Sequence, residues 1–413
     1  MHVVRAAASL AVLATAGCGT RAPAASYVTD WTDVLVTTLA GAELGPVEPA
    51  RVATYASIAL YEGFAADPGS GLASLAGQLN GLWSVPVAAE DAPVDGATVA
   101  AVAARIVVDS LLGAGVPEAR RRVDSLARAH VERRRKDRVR SERRDRSVAH
   151  GEALAAALVQ WISGDGLAAA RERQRRTPAR ANSGATSVES AWGTLRTFVL
   201  RTAAECPQPP MPAYSTRPAS DYWKFAKELR DTARAATAAH RDRSAYWLTT
   251  SGAGAWYRWI EAAGRLGAGR AGADSAVEVL LLTAIAIGDA NAAAWRNKYR
   301  SSVPSPATGV RRLIDAGFRG AMEPAFPPYP GDGVLVAAAT GSMLAGLLGD
   351  STLFPDTVRG GPGGRLTLME AADEVAHAYG YAGILPVSLA QRGVEPGQCV
   401  GERVLGRLRT RGG

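Results

Sequence analysis

Apolar residues recur at three- and four-residue spacing along most of the chain, which is the period of an amphipathic helix. The clearest run starts at Ser275, where Glu278 forms a predicted capping box. Another run ends before Gly349, and a third opens on the capping-box pair Thr367 and Glu370. No alternating pattern bounded by hairpin turns stands out, so the pattern predicts an all-α fold. Further helices are predicted over residues 48–64, 96–112, 118–146 and 148–162.

The composition fits a folded protein, and the length allows two or three compact units or one large helical domain. The chain has 413 residues, of which 47% are hydrophobic and 21% charged, and this balance excludes wholesale disorder. The proline-rich segment 206–218 is the best candidate for a seam between two halves. We therefore predict an N-terminal helical bundle over 27–205, a linker over 206–218 and a C-terminal bundle over 219–413.

The net charge of +8 is concentrated between Arg120 and Arg146. Acidic residues alternate with the basic ones there, which is typical of a solvated helix with many ion pairs. A nucleic-acid groove needs basic residues without acidic partners, together with stacking aromatic residues, so we expect no nucleic-acid partner. Docking of this surface on anionic lipid headgroups is a second interpretation.

The N-terminus has the layout of an export signal. Residues 1–17 combine Arg5 with a short apolar stretch and small residues, which predicts a signal peptide. Cys18 follows directly and is the expected lipidation site, so we predict a membrane-anchored lipoprotein in the periplasm or cell envelope. An ordinary secretory signal cleaved near residues 22–26 remains open. In an oxidising compartment Cys206 and Cys399 could form a disulfide.

Several segments carry a family resemblance. Trp31 with ARVATYASIALYEGFA, LLTAIAIGDANAAAWRNKYR, FPPYPGDG and EAADEVAHAYGYAGI occur in consistent order. They resemble bacterial vanadium-dependent haloperoxidase-like proteins of the type 2 phosphatidic acid phosphatase superfamily. The resemblance implies two helical bundles of that kind, the second of which holds an oxyanion site.

The resemblance also locates departures from the family's site. That family holds phosphate or vanadate with a lysine, two arginines, a Ser-Gly-His segment and a final histidine. Lys298 stands at the lysine position. The remaining positions are degenerate: the resemblance places Ser305 and His377 at the two arginines, Gly331, Asp332 and Gly333 at Ser-Gly-His, and Gly383 at the final histidine.

These departures argue against oxyanion chemistry. At about 4 Å and a dielectric constant near 20, each lost or reversed charge contact changes binding by up to roughly 4 kcal/mol. We expect Asp332 to act as an N-cap that occupies the free N–H groups of the following helix. We therefore predict weak or absent vanadate and phosphate binding, no cofactor, and a non-catalytic binding or structural role with an unknown ligand.

Two alternatives remain at this stage. The chain could be an active phosphatase or vanadium-dependent haloperoxidase, in which Lys298 holds the oxyanion, His377 serves as nucleophile or base, and vanadate is the cofactor. Lys298 could equally be an ordinary lysine at a helix end, and His377 an ordinary surface or structural histidine. A metal site made of Asp289, Asp332 and His377 has no supporting ligand spacing, so we expect no metal.

Overall fold

The computed structural model describes residues 23–40, 42, 44–112, 116–176, 189–248, 256–298, 300–301, 303–324, 326–356 and 365–412. The predicted signal segment 1–17 and Cys18 lie outside these residues. The described residues contain helices and two isolated β-bridges but no strand, so the all-α prediction is confirmed. The helices are α1 (Ser26–Ala40), α2 (Glu48–Ala65), α3 (Gly96–Leu112), α4 (Pro117–Lys136), α5 (Ser141–Ser163), α6 (Leu167–Arg176), α7 (Asp221–Arg234), α8 (Ala238–Trp247), α9 (Trp256–Ala268), α10 (Ala273–Lys298), α11 (Pro306–Leu313), α12 (Asp332–Leu348), α13 (Leu368–Tyr381), α14 (Val387–Ala390) and α15 (Val394–Arg407).

One of the two predicted capping boxes is confirmed. The Glu370 carboxylate accepts from the Thr367 backbone N–H at 2.7 Å, and the Glu370 N–H donates back to the Thr367 hydroxyl. The box predicted at Ser275 is wrong, because α10 already begins at Ala273. The Glu278 carboxylate instead pairs with Arg411 at 2.6 Å, and a guanidinium is a stronger partner than a backbone N–H.

The charged segment 118–146 is not one helix. α4 ends at Lys136, and α5 starts at Ser141 and continues through the residues that had predicted a separate helix. Arg138 between them adopts φ 67°, a left-handed conformation that interrupts the helix. Arg134 is buried and pairs with Asp95 at 2.8 Å, so this segment is anchored to the core as well as solvated.

The central helix of the fold is α10, which packs against α2, α9, α12 and α15. The main hydrophobic core includes side chains from both halves of the sequence, from Tyr27 to Leu408. α10 is long and apolar enough to cross a membrane, and so is the bent pair of α5 with α6. The most apolar window of α10 is 94% buried inside the protein, as expected for the inner helix of a bundle.

The segment 206–218 contains no helix, and the domain boundaries drawn around it remain a prediction.

Close helix packing within the first half depends on small residues. A Cβ on Gly63 of α2 would lie 2.3 Å from the Cα of Ala100 on α3, so these backbones touch only because Gly63 has no side chain.

Candidate functional site

The candidate site forms where the last residue of α10 meets the first residue of α12. Lys298 ends α10 and Asp332 begins α12, and both side chains are 3% exposed. A cation at a helix C-terminus and an anion at a helix N-terminus each suit the local helix dipole. The fold thus brings together two opposite charges that lie 34 residues apart in the sequence.

All three ammonium protons of Lys298 have protein acceptors within reach. The Nζ atom donates to the carbonyl oxygens of Pro327 and Pro330 at 3.0 Å each. It also lies 3.2 Å from Oδ1 of Asp332 and over the Trp295 ring at 5.5 Å from its centroid. A lysine has three donors and no acceptor, so this arrangement leaves no donor for an added anion.

Tyr379 of α13 completes the site from the third side. Its hydroxyl donates to Oδ1 of Asp332 and accepts from the backbone N–H of Gly333, each at 3.1 Å. Burial, and then the neighbouring Asp332 charge, raise the pKa of Tyr379 well above its ordinary value. Tyr379 therefore acts here as a neutral hydrogen-bond donor.

The predicted N-cap role of Asp332 is wrong. Gly331 is the N-cap residue of α12, and Asp332 is already inside the helix. The free N–H of Gly333 is satisfied by Tyr379 rather than by a carboxylate. The reason is electrostatic: a buried ammonium attracts the carboxylate more strongly than a helix N–H does. Asp332 is thus an internal counter-ion of Lys298.

A small cavity adjoins this ion pair. Its volume is about 20 Å³, enough for about one water molecule. The lining is mainly apolar and aromatic, and its residues are Leu248, Trp295, Lys298, Pro324, Phe326, Pro327, Pro328, Asp332, Tyr379 and Ile384. A tetrahedral oxyanion needs more room than one water.

His377 does not line this cavity. Its imidazole is 43% exposed, and its Nε2 lies 3.6 Å from Oδ2 of Asp373 one helical turn away. The ring of Tyr381 lies nearby on the same helix. The structure therefore does not bring His377 together with Lys298, as the enzyme alternative requires.

Two other positions that the resemblance singled out have structural roles. Ser305 is the N-cap of α11, where its hydroxyl accepts from the Thr308 N–H. Gly383 adopts φ 73°, and a Cβ there would lie 2.7 Å from the Cα of Gly320. A histidine at 383 would be strained by the backbone and blocked by a neighbouring chain segment.

A second buried ion pair lies in the N-terminal half, and sequence reasoning did not find it. Arg51 of α2 donates through Nε to Oδ2 of Asp165 at 2.7 Å and through Nη2 to the carbonyl of Arg196. The Tyr55 hydroxyl donates to the same carboxylate oxygen at 2.8 Å. The only signal in the sequence is an arginine in the middle of the apolar face of a predicted helix, which calls for a buried partner.

Asp289 is a fully buried carboxylate in the middle of α10. Its carboxylate accepts three backbone N–H bonds, from Phe198, Val199 and Leu200, at 2.6 to 2.9 Å. Burial raises the pKa of Asp289 to about 6, against the effect of these three donors. Asp289 thus holds residues 198–200 against α10.

Cys206 and Cys399 are joined by a disulfide, with their Cα atoms 5.8 Å apart. Within the described ranges, no group of three or more His, Cys, Asp or Glu side chains is placed to hold a metal ion.

Comparisons with solved structures agree with this geometry at the level of the fold. The chain matches no protein-family model and no curated protein. A bacterial vanadium-dependent iodoperoxidase superposes with a TM-score of 0.77 at 23% identity, covering 94% of this chain and 96% of that one. A holo-type bacterial vanadium-dependent chloroperoxidase superposes with a TM-score of 0.62 at 14% identity, covering 88% of this chain and 93% of that one. An apo-type bacterial vanadium-dependent chloroperoxidase superposes with a TM-score of 0.66 at 13% identity, covering 89% of this chain and 94% of that one. The chain therefore has a vanadium haloperoxidase-like fold, as its motifs predicted.

Vanadate does not fit the residues that this chain supplies at the site. The Lys298 protons are directed at the protein, and Asp332 contributes a negative charge where an oxyanion would need a positive one. The adjoining cavity is also too small. The fold is shared with vanadium-dependent enzymes, but these side chains do not form an oxyanion cradle.

Proposed function

We propose that this protein is an extracytoplasmic member of the haloperoxidase/phosphatase superfamily that has lost vanadate and phosphate chemistry and acts as a non-catalytic binding or structural protein. One observation carries the proposal. The Asp332 carboxylate occupies the position next to Lys298 that an oxyanion would need, and it satisfies that lysine internally.

The enzyme alternative requires a base or nucleophile beside Lys298. His377 is the histidine proposed for that role, and it lies half-exposed against Asp373, outside the cavity. Tyr379 is present at the site, but its raised pKa makes it a poor nucleophile near neutral pH. The position of these two side chains favours the non-catalytic proposal.

The first test measures activity and vanadate affinity directly. Wild type and Lys298→Ala are assayed with p-nitrophenyl phosphate, and separately with bromide, peroxide and vanadate. Vanadate is also titrated calorimetrically into the wild-type protein. We expect no turnover in either chain and no measurable heat of binding. Micromolar vanadate affinity, or turnover that disappears in Lys298→Ala, would contradict the proposal.

A sharper test removes the internal counter-ion. Asp332→Gly frees the Lys298 ammonium and enlarges the cavity, so we expect vanadate or phosphate affinity to appear in the millimolar range or better. The matched control is Asp332→Gly combined with Lys298→Met, which has the same added space but no cation and should not bind. Equal binding by the single and double variants would show that Lys298 is not the anion partner.

The extracytoplasmic part of the proposal rests on the signal-like residues 1–17, on Cys18 and on the bond between Cys206 and Cys399. Metabolic labelling with a radioactive fatty acid tests it. We expect label in wild type and none in Cys18→Ser. Unlabelled wild-type protein that is nevertheless exported would instead favour simple secretion.

A further inference from the structure

Most of the excess positive charge of the chain lies in one short stretch. Residues 117–146 contain thirteen basic and six acidic side chains, a net charge of +7 against +8 for the whole chain. This stretch is α4, the turn after it and the start of α5. Four of its arginines pair with acidic residues of other elements, namely Asp30, Asp67, Asp95 and Asp109.

The charge that stays on the surface is densest where α4 meets α5. We call residues 135–146 the basic corner; seven of its twelve residues are basic and three are acidic, and of the basic ones Arg143 pairs with Asp67 outside the corner. Lys136, Arg138 and Arg140 are all exposed there. The left-handed residue Arg138 turns the chain so that both helix ends contribute to one surface.

The start of the described chain lies beside the same end of α4. The Tyr27 ring of α1 lies 4.0 Å from the His130 ring. One turn further along α1, the Asp30 carboxylate lies 3.7 Å from Arg133. His130 and Arg133 belong to the last two turns of α4, so the first turn of α1 emerges next to the basic corner.

This neighbourhood fixes where a lipid anchor would be. Pro23, the first described residue, lies five positions after Cys18, and these five steps of the chain span at most about 18 Å when fully extended. A protein of this size has a radius of gyration of about 22 Å, so such a tether cannot reach round to the opposite side. A lipidated Cys18 therefore keeps the basic corner turned towards the membrane.

We propose that the basic corner is a membrane-docking surface that binds anionic lipid headgroups and orients the protein on the bilayer. The orientation argument rests on the proposed anchor at Cys18, whereas the affinity for headgroups rests on the corner alone. Exposed lysines and arginines gain favourable energy near an anionic surface. Residues 135–146 include no aromatic side chain on which a nucleic-acid base could stack, so a lipid surface fits this corner better.

The test uses the chain from residue 19, which retains every described residue but carries no acyl group. Binding is measured by co-sedimentation with vesicles of phosphatidylcholine alone and with vesicles of equal parts phosphatidylcholine and phosphatidylglycerol. We expect binding only to the anionic vesicles. Raising the ionic strength from about 0.1 M to about 1 M shortens the Debye length from about 10 Å to about 3 Å and should abolish this binding.

A matched pair of triple variants locates the surface. Lys136→Gln, Arg138→Gln and Arg140→Gln together should weaken binding to the anionic vesicles about 100-fold, since each lost charge contributes about fivefold near the surface. The control removes three equally exposed charges elsewhere, in Arg201→Gln, Arg217→Gln and Lys224→Gln, and should bind within about twofold of wild type. Circular dichroism checks that both variants fold.

Several results would overturn the proposal. These are equal binding to neutral vesicles, no binding to anionic ones, an equal loss in both triple variants, or binding to heparin or DNA but not to vesicles. If the corner variant fails to fold, the salt dependence of wild-type binding and the control triple still decide the question. The chain that starts at residue 19 has no acyl group, so its binding to vesicles does not depend on the Cys18 anchor. A failure of this proposal is therefore distinguishable from the absence of that anchor and from any activity in the vanadate assays.

Discussion

Each half of the molecule contains a buried cation, a carboxylate and a tyrosine. The N-terminal triad is Arg51, Tyr55 and Asp165, and the C-terminal triad is Lys298, Asp332 and Tyr379. In both, the tyrosine hydroxyl donates to the same carboxylate oxygen that faces the cation. The chemistry is similar, but the surroundings differ.

The N-terminal triad connects chain segments. Arg51 reaches a carboxylate and a backbone carbonyl, and its guanidinium lies 4.9 Å from the centroid of the Phe198 ring. The second oxygen of Asp165 accepts the Leu167 N–H, which starts α6. A planar guanidinium suits such a multiply bonded, stacked position. The C-terminal triad instead has a point-charge lysine beside a cavity of about 20 Å³, twice the volume of the cavity of about 10 Å³ that Arg51 lines. The first triad is thus a structural clasp, while the second has more room beside its cation.

The largest expected effect comes from breaking the N-terminal triad. Arg51→Met leaves the Asp165 charge buried without its cation, and we expect a loss of about 3–5 kcal/mol in the free energy of unfolding. Urea denaturation measures it. Adding Asp165→Leu should recover at least half of the loss, because the orphaned charge is then gone. A cost below about 1 kcal/mol for Arg51→Met would refute the clasp interpretation.

Glu62 differs from the carboxylates of the two triads, because its hydrogen bonds among the described residues come from neutral donors. Glu62 accepts from the Ser74 hydroxyl at 3.0 Å and from the Leu75 N–H at 2.5 Å, and burial raises its pKa to about 7. Between its ordinary pKa and about pH 7 the folded state holds a proton that the unfolded state has released. Stability from this group is therefore complete at low pH and is lost as pH rises through about 7.

The expected loss at Glu62 is about 3 kcal/mol between pH 5 and pH 8, from 1.36 kcal/mol per unit of pKa difference. Glu62→Gln cannot release a proton, so its unfolding free energy should lack this component of the decrease. Parallel denaturation curves at several pH values compare the two chains. Identical pH profiles would mean that burial does not hold the proton on Glu62.

Breaking the C-terminal triad should cost less. Lys298→Met orphans Asp332, but the adjoining cavity has room for about one water molecule to solvate the carboxylate, so we expect a loss of about 2 kcal/mol in the free energy of unfolding. The measurement is the same urea titration used for Arg51→Met. A loss as large as that of Arg51→Met would show that both triads are structural clasps of equal weight.

The smallest expected effect comes from removing the tyrosine hydroxyl from either triad. Tyr55→Phe and Tyr379→Phe each remove a buried hydroxyl that donates to a carboxylate, and we expect each to cost about 1–2 kcal/mol. Thermal unfolding monitored by circular dichroism is sufficient here. A marked inequality between the two would place the difference between the triads in the tyrosine rather than in the cation.

Local features of the fold could be predicted from sequence, and contacts between distant residues could not. The capping box at Thr367 and Glu370 is confirmed because it involves one helical turn. The break at Arg138 was missed, since neither glycine nor proline marks it. The capping box predicted at Ser275 is wrong because Arg411, near the C-terminus, pairs with Glu278.

For the candidate site, too, individual residues could be predicted from the sequence, but the contacts between them could not. Lys298 could be identified because the resemblance fixes its position, and Asp332 because it departs from the family pattern. Their pairing could not, since it depends on how α10 meets α12. The role of Tyr379 is likewise a matter of tertiary distance, because its hydroxyl reaches a residue 47 positions earlier.

The left-handed backbone at Gly383 has a consequence for the engineering of this site. Glycine is favoured there both by its φ of 73° and by the Gly320 backbone, whose Cα would lie 2.7 Å from an added Cβ. A histidine introduced at position 383 would meet both obstacles at once, so the segment around Gly320 would have to move first. A side chain at this position must therefore be designed together with that segment rather than as a single substitution.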